Sequence, residues 1–161
     1  MKEARKPQLD LRMSCDVGGR PESLFVSPDG SQLFVFDQDC SQVSAVSTSS
    51  WQRLERVDLV RPGAVAPTFL GGFGDMMFLG GLPGKVDVFS AVSRRFSGAI
   101  PCSGEARDLE ILPELRQAVL TTVCGHEGLV ELVGLSAARA VARIELPLRP
   151  VRDTLALLPN R

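Results

Sequence analysis

The sequence has very little histidine: His126 is the only one among 161 residues. Nucleophilic catalysis through serine or cysteine uses a histidine base, and no nucleophile stands next to His126 in the sequence. A haem ligand would also have to be His126. A metal site needs three or four convergent ligands, and Cys124, His126 and Glu127 form a single weak cluster. We therefore predict no catalytic residue, no metal site and no cofactor, and we do not expect an enzyme.

Long apolar runs and an excess of charge are missing as well. No apolar run reaches the ~18 residues of a membrane span, and no apolar stretch follows the basic N-terminus to make a secretory signal. The net charge of −1 argues against nucleic acid or an anionic membrane as a partner. Four cysteines without a Cys-x-x-Cys pair favour reduced thiols. We expect a cytoplasmic chain whose partner is a protein or a second copy of itself.

What the sequence does contain is an internal repeat. Segment 42–59 matches segment 85–102 at an offset of 43 residues, and segment 129–146 at a further 44. The hairpins upstream of these segments, 25–37, 70–80 and 110–122, match as well. Coinciding positions include two sets of β-branched residues: Val43, Val86 and Val130, and Val57, Ile100 and Ile144.

The length and pattern of each unit are those of a four-stranded propeller blade. In the first unit we predict strands a to d, counted outward from the ring axis, at 23–27, 33–36, 42–47 and 53–59. Strand b is continuously apolar ("LFVF", "MMFL", "AVLTTV") and strand c alternates ("VSAV", "VDVF", "VELV"). We therefore predict one all-β domain over 1–161, with three blades at about 18–60, 61–103 and 104–148. Partial strands are predicted at 8–17 and 152–158.

Two segments have a competing helical interpretation. "PELRQAVLTTV" and "LSAARAVARIEL" are rich in the alanine, leucine and arginine that favour helices. They align, however, with "PDGSQLFVFD" and "VSTSSWQRLERVDL" in the first unit, which a helix does not explain. The repeat therefore favours strands in both segments.

The first unit resembles the YVTN-type β-propeller repeat, which is related in shape to WD-repeat and lactonase-type propellers. The resemblance rests on Gly19-x-Pro21, on the Ser27-Pro28-Asp29-Gly30 turn, on the apolar strand after it and on Val43. It weakens in the second unit, which has lost Pro-Asp-Gly, and in the third, which keeps only Pro113. The turn motif is common among propellers and indicates fold more than function.

The predicted strands do not complete a ring, because propellers need at least four blades. Three blades in an arc leave an apolar face open at each end, and such patches usually mark an interface. One explanation is that copies of the chain assemble into a ring. The other is that the chain is part of a larger propeller.

The resemblance implies that the d–a and b–c loops gather on one face of the ring, which often carries the binding site. This loop face holds arginines and carboxylates that suit a polar protein-binding surface or an anionic small ligand, and a solvated rim is the alternative. The predicted binding residues are Arg20, Asp37, Asp39, Arg61, Arg107, Asp108, His126, Arg149 and Arg152. On the opposite face, Trp51 is expected to cover the outer edge of a blade.

The sequence thus favours a non-enzymatic scaffold or interaction module that associates with itself. The alternative is a fragment of a lactonase-like or other hydrolytic propeller, in which Asp37 and Asp39 could act as an acid–base pair or bind a cation. Neither aspartate has an acidic counterpart in the other two units.

Overall fold

The computed structural model describes residues 12–37, 42–59, 67–135 and 139–146. Twelve strands form three four-stranded antiparallel sheets, each a meander of sequential neighbours. Sheet 1 contains β1 (Pro21–Val26), β2 (Gln32–Asp37), β3 (Gln42–Ser47) and β4 (Arg53–Asp58). Sheet 2 contains β5 (Thr68–Phe73), β6 (Met76–Gly80), β7 (Lys85–Ser90) and β8 (Arg95–Pro101). Sheet 3 contains β9 (Glu105–Leu112), β10 (Gln117–Cys124), β11 (Glu127–Gly134) and β12 (Arg139–Leu146).

This architecture confirms the predicted fold class: all-β, with three propeller blades that do not close into a ring. As far as these two segments are described, they form strands β10 and β12, preceded in the first by a single 3₁₀ turn at Pro113–Leu115. Of the predicted N-terminal strand, the described part (residues 12–17) lies outside the strands. The predicted strand at 152–158 lies outside the described residues. Within the described ranges, no helix has the length and apolarity needed to cross a membrane.

The Ser27–Gly30 turn joins β1 to β2 as its sequence predicts. The Gly30 amide donates to the Ser27 carbonyl at 2.9 Å, and Gly30 takes a φ of +70°, which glycine adopts without steric cost. The Asp29 carboxylate accepts bonds from the Ser27 hydroxyl at 2.7 Å and the Ser31 amide at 3.1 Å. These bonds from Ser27 and Ser31 hold the pKa of Asp29 at about 2.

Neighbouring sheets pack face to face around two apolar cores. We call the face of a sheet that is directed at the following sheet its forward face, and the opposite face its backward face. The forward face of sheet 1 packs on the backward face of sheet 2; this first core includes Phe34, Phe36, Val43, Ala45, Phe69, Met77, Leu79 and Phe89. The forward face of sheet 2 packs on the backward face of sheet 3; this second core includes Phe78, Val86, Val88, Ile100, Leu109, Ala118, Leu120 and Val133.

The strand register shows that the three sheets use the same positions for the same faces. Cross-strand partners lie on the same side of a sheet, and the matched pairs are Val35 with Ser44, Leu79 with Asp87, and Leu120 with Glu131. Leu79 and Leu120 lie in the cores on the backward faces of sheets 2 and 3. The matching pair of sheet 1, Val35 and Ser44, therefore lies on the backward face of sheet 1. The same register places Val119, Val130, Leu132 and Ile144 on the forward face of sheet 3.

The loop before β9 passes so close to β10 that only glycine fits. A Cβ atom on Gly104 would lie 2.2 Å from the Val123 carbonyl oxygen, whereas one on Gly98 in β8 would meet nothing within 4 Å. We expect Gly104→Ala to lower the free energy of unfolding by about 2–3 kcal/mol, because the loop or the β10 backbone must move to make room for the methyl group. Gly98→Ala is the control and should change it by less than about 0.5 kcal/mol.

Urea unfolding followed by circular dichroism measures both variants. Equal stabilities of the two alanine variants would contradict the close packing of this loop.

Candidate functional site

Two of the predicted binding residues, Arg20 and Asp37, lie together where the chain enters sheet 1. Asp37 ends β2 and is buried, and its carboxylate accepts a bond from the Arg20 amide at 3.1 Å. A Cβ on Gly19 would lie 1.5 Å from the same carboxylate. The Asp37 side chain therefore packs against the loop that leads into β1 and helps to hold this loop in place.

The structure corrects the position of Arg107 and Asp108. Both were assigned to a loop, but they lie within β9 because this strand already begins at Glu105. The register shifts here: Thr121 pairs with Asp108 and Thr122 with Ala106, so Arg107 occupies a β-bulge. Its guanidinium forms an ion pair with Glu105 at 2.9 Å.

His126 lies in the tight turn between β10 and β11, where it is exposed together with Cys124 and Glu127. Among the residues described, no three His, Cys, Asp or Glu side chains are grouped so that they could hold a metal ion. The other predicted site residues, Asp39, Arg61, Arg149 and Arg152, lie outside the described residues. The proposed binding role of the loop face therefore stays a prediction.

A buried carboxylate that the sequence analysis passed over connects sheet 3 to the loop before it. Glu131 lies on the backward face of β11 and is fully buried. Its two oxygens accept bonds from the Ser103 amide at 2.9 Å, the Ser103 hydroxyl at 2.7 Å and the Thr122 hydroxyl at 2.9 Å. Arg143 of β12 adds an ion pair at 3.2 Å.

This network sets the protonation of its members. Burial alone would raise the pKa of Glu131, but the bonds from Ser103 and Thr122 and the charge of Arg143 outweigh it and lower the pKa. Burial, together with the negative charge of Glu131, raises the pKa of the neighbouring Cys102 to about 11. Cys102 therefore remains a thiol at neutral pH and is a poor nucleophile.

The same repeat position is polar in all three sheets, and this was the signal that could have revealed the network. Ser44 and Asp87 occupy the position of Glu131 in sheets 1 and 2. In sheet 1 the Ser44 hydroxyl donates to the Val17 carbonyl at 3.4 Å, and Arg56 donates to the same oxygen at 2.6 Å. Sheets 1 and 3 thus each use this position to hold the loop that leads into them.

The arc has two end faces, and both present exposed apolar side chains. On the backward face of sheet 1, Leu24 is 63% exposed and Val26 is 54% exposed. On the forward face of sheet 3, Ile144 is 65% exposed. The matching positions inside the arc, such as Val57 and Ile100, pack against a neighbouring sheet. The end faces are therefore the candidate interaction surfaces.

The Glu131 network predicts a pH-dependent stability. Because the pKa of Glu131 is lowered by folding, its contribution is complete above the ordinary value of 4.5 and is lost as pH falls below it. We expect Glu131→Gln to cost about 2–3 kcal/mol at neutral pH, where charged hydrogen bonds are lost. The difference from the wild type should shrink at about pH 3.

Urea unfolding at both pH values, at one fixed protein concentration, measures this difference. Glu110→Gln, which changes an exposed carboxylate on β9, is the control and should stay within about 0.5 kcal/mol of the wild type. An equal loss for Glu131→Gln at both pH values would show that its charge is not what stabilises the loop.

No family model matches the sequence, and comparison with curated proteins likewise gives no match. Solved structures do match the fold. Hydrazine synthase from Kuenenia stuttgartiensis superposes with a TM-score of 0.61 at 21% identity, over 79% of this chain and 37% of that one. The RRP9 WD40 repeats superpose with a TM-score of 0.56 at 16% identity, over 75% of this chain and 37% of that one.

A third similar structure, U3-55K, superposes with a TM-score of 0.55 at 17% identity, over 75% of this chain and 38% of that one. The chain therefore spans well under half the length of each of these structures. At these identities the comparisons show the fold alone. Structures similar to this chain include WD40-repeat propellers, and its three four-stranded sheets match propeller blades.

Proposed function

We propose that this chain is a non-enzymatic protein-interaction module that associates through the end faces of its arc. The observation that carries the proposal is that each end face exposes apolar side chains, among them Leu24 and Ile144, whose counterparts Phe69 and Ile100 pack in the cores inside the arc. The similarity to WD40-repeat propellers supports it, because such propellers are protein-interaction modules.

The energetics of the end faces favour association. Fully burying a valine, leucine or isoleucine side chain contributes about 1.5–3 kcal/mol. Leu24, Val26 and Ile144 are each more than half exposed, so covering them recovers most of that amount. A carboxylate placed among them would be buried without a partner and would oppose association.

The described loop-face residues give the hydrolytic alternative no direct support. Asp37, the described member of its candidate acid–base pair, packs against the loop that leads into β1 and accepts a bond from the Arg20 amide. We therefore place the interaction surface on the end faces, with the loop face available to a further protein partner.

The test is the molar mass in solution, measured by light scattering on a sizing column over a range of concentrations. We expect the wild type to exceed the monomer mass of 17.4 kDa. The double variant Leu24→Asp/Ile144→Asp should elute as the monomer at every concentration. Val92→Asp is the control, since Val92 is 75% exposed but lies in the β7–β8 turn of the middle sheet.

Circular dichroism of each variant checks that it keeps its strands. A wild type that stays monomeric at all concentrations would overturn the proposal, and so would a double variant with the wild-type mass.

A further inference from the structure

We propose that the cleft between sheets 1 and 2 binds a primary amine, an ammonium group carried on a short apolar body. The cleft lies at the β1–β2 and β7–β8 turns, on the side opposite the loop face, and has a volume of about 390 Å³, within the range of small-ligand pockets. The residues that line it include Asp29, Gln32, Phe34, Ala91, Val92 and Arg94. This inference goes beyond the proposed function, because the cleft lies inside one copy of the chain and away from both end faces.

The matching place between sheets 2 and 3 is filled differently, and the comparison shows what opens the cleft. The Ala91 amide donates to the Asp75 carbonyl at 2.7 Å, and the Leu135 amide donates to the Arg116 carbonyl at 2.9 Å. Because Asp75 and Arg116 each come directly before the second strand of their sheet, Ala91 and Leu135 occupy the same repeat position. The cleft that Leu135 lines measures only about 250 Å³. The small side chain of Ala91 therefore leaves room where Leu135 takes it up.

Gln32 gives the cleft a polar wall where the matching position is apolar. Gln32 pairs with Ser47 at the start of β2, and Met76 pairs with Ser90 at the start of β6, so Gln32 and Met76 correspond. The Gln32 Oε1 atom is buried and has no hydrogen-bond partner within the described part of the chain. Such an oxygen costs free energy until a donor reaches it, and the terminal amide of glutamine turns easily. An N–H group of a ligand in the cleft can therefore become its partner.

The β1–β2 turn adds a charged acceptor to the cleft. Both serine hydroxyls of the turn donate to Asp29, from Ser27 at 2.7 Å and from Ser31 at 2.8 Å. The bonds from Ser27 and Ser31 hold the pKa of Asp29 at about 2, so the carboxylate is charged at neutral pH. Among the residues that the structure describes, Asp29 forms no ion pair. A cation in the cleft would balance this charge.

Arg94 does not make the cleft an anion site. Its guanidinium forms an ion pair with Glu55 of β4, so these two charges balance and the charge of Asp29 is left. The apolar side chains of Phe34, Ala91 and Val92 also line the cleft and suit the body of a ligand. An ammonium group has three N–H donors, so a single one can serve both the carboxylate and the Gln32 oxygen. A primary amine on an apolar body therefore matches this lining.

The test uses phenethylamine as the probe and phenethyl alcohol as its uncharged control, and it follows the backbone amide signals of the nitrogen-15-labelled chain by NMR at neutral pH. We expect the amine to shift the amide signals of Gln32, Ala91 and Val92, with a Kd on the order of 1 mM. The alcohol has the same body without the charge, and its Kd should be at least about 10-fold higher. Both ligands are measured on the wild type, so the comparison does not depend on any variant folding.

Two variants introduce the residues of the matching place between sheets 2 and 3. Gln32→Met removes the acceptor and keeps an unbranched side chain, and we expect it to raise the Kd of phenethylamine about 10-fold. Ala91→Leu fills the cleft and should abolish the amide shifts at Gln32. Ser97→Ala changes the lining of the smaller cleft and is the control, which should leave the Kd unchanged.

Asp29→Asn separates the charge from the shape of the turn, since asparagine can make the same side-chain bonds to the backbone. We expect it to raise the Kd of phenethylamine about 10-fold and to leave the affinity for phenethyl alcohol unchanged.

Three results would overturn the inference. One is the absence of amide shifts around Gln32 and Ala91 at about 10 mM phenethylamine, well above the expected Kd. Another is equal binding of the amine and the alcohol, or tighter binding of the anion hydrocinnamate, because the ammonium group would then not be what is recognised. The third is an unchanged Kd in Ala91→Leu, which would place the ligand elsewhere. None of these results bears on association through the end faces, which is measured by molar mass.

Discussion

The packing of one sheet face on another is the constraint on which the rest of this structure depends. Each four-stranded sheet has two faces with buried positions and cannot cover either by itself. Sheet 2 is covered on both sides, by Phe34 and Phe36 from one neighbour and by Leu120 and Val133 from the other. The end sheets have a neighbouring sheet on one side only, and on the other side Leu24, Val26 and Ile144 are more than half exposed. The same apolar pattern that folds the arc therefore leaves it with two surfaces suited to association.

Polar contacts fix how the sheets follow one another along the chain. The third strand of each sheet carries a polar residue on its backward face, and in sheets 1 and 3 it bonds to the loop leading into that sheet. Glu131 is fully buried and accepts four hydrogen bonds, two of them from Ser103 in that loop, while Ser44 donates one to the Val17 carbonyl. A buried carboxylate is stable only with such partners, so the network restricts the loop before β9 to one path, and Gly104 lets that path approach β10.

The fold could be predicted from the sequence because the repeat aligns the three units, so that a strand assigned in one unit predicts a strand in the other two. The composition of residues 117–124 fits a helix or a strand, and their alignment with the hairpin around Ser27–Gly30 predicts a strand. The structure confirms this strand as β10. The candidate site was harder to predict. Arg107 was assigned to a loop because the bulge in β9 has no sequence marker, and Glu131 was passed over because an alternating "VELV" pattern makes a buried glutamate look like an exposed one.

The sequence by itself determined the period, the strand order within each blade and the turn chemistry, since these depend on neighbours close along the chain. Only the tertiary structure decided which strand faces are buried, because that depends on the stacking of sheets about 43 residues apart. It also decided that Asp37 packs against the loop that leads into β1 and that Cys102 stays protonated beside Glu131. Each of these depends on residues brought together across the arc rather than along the sequence.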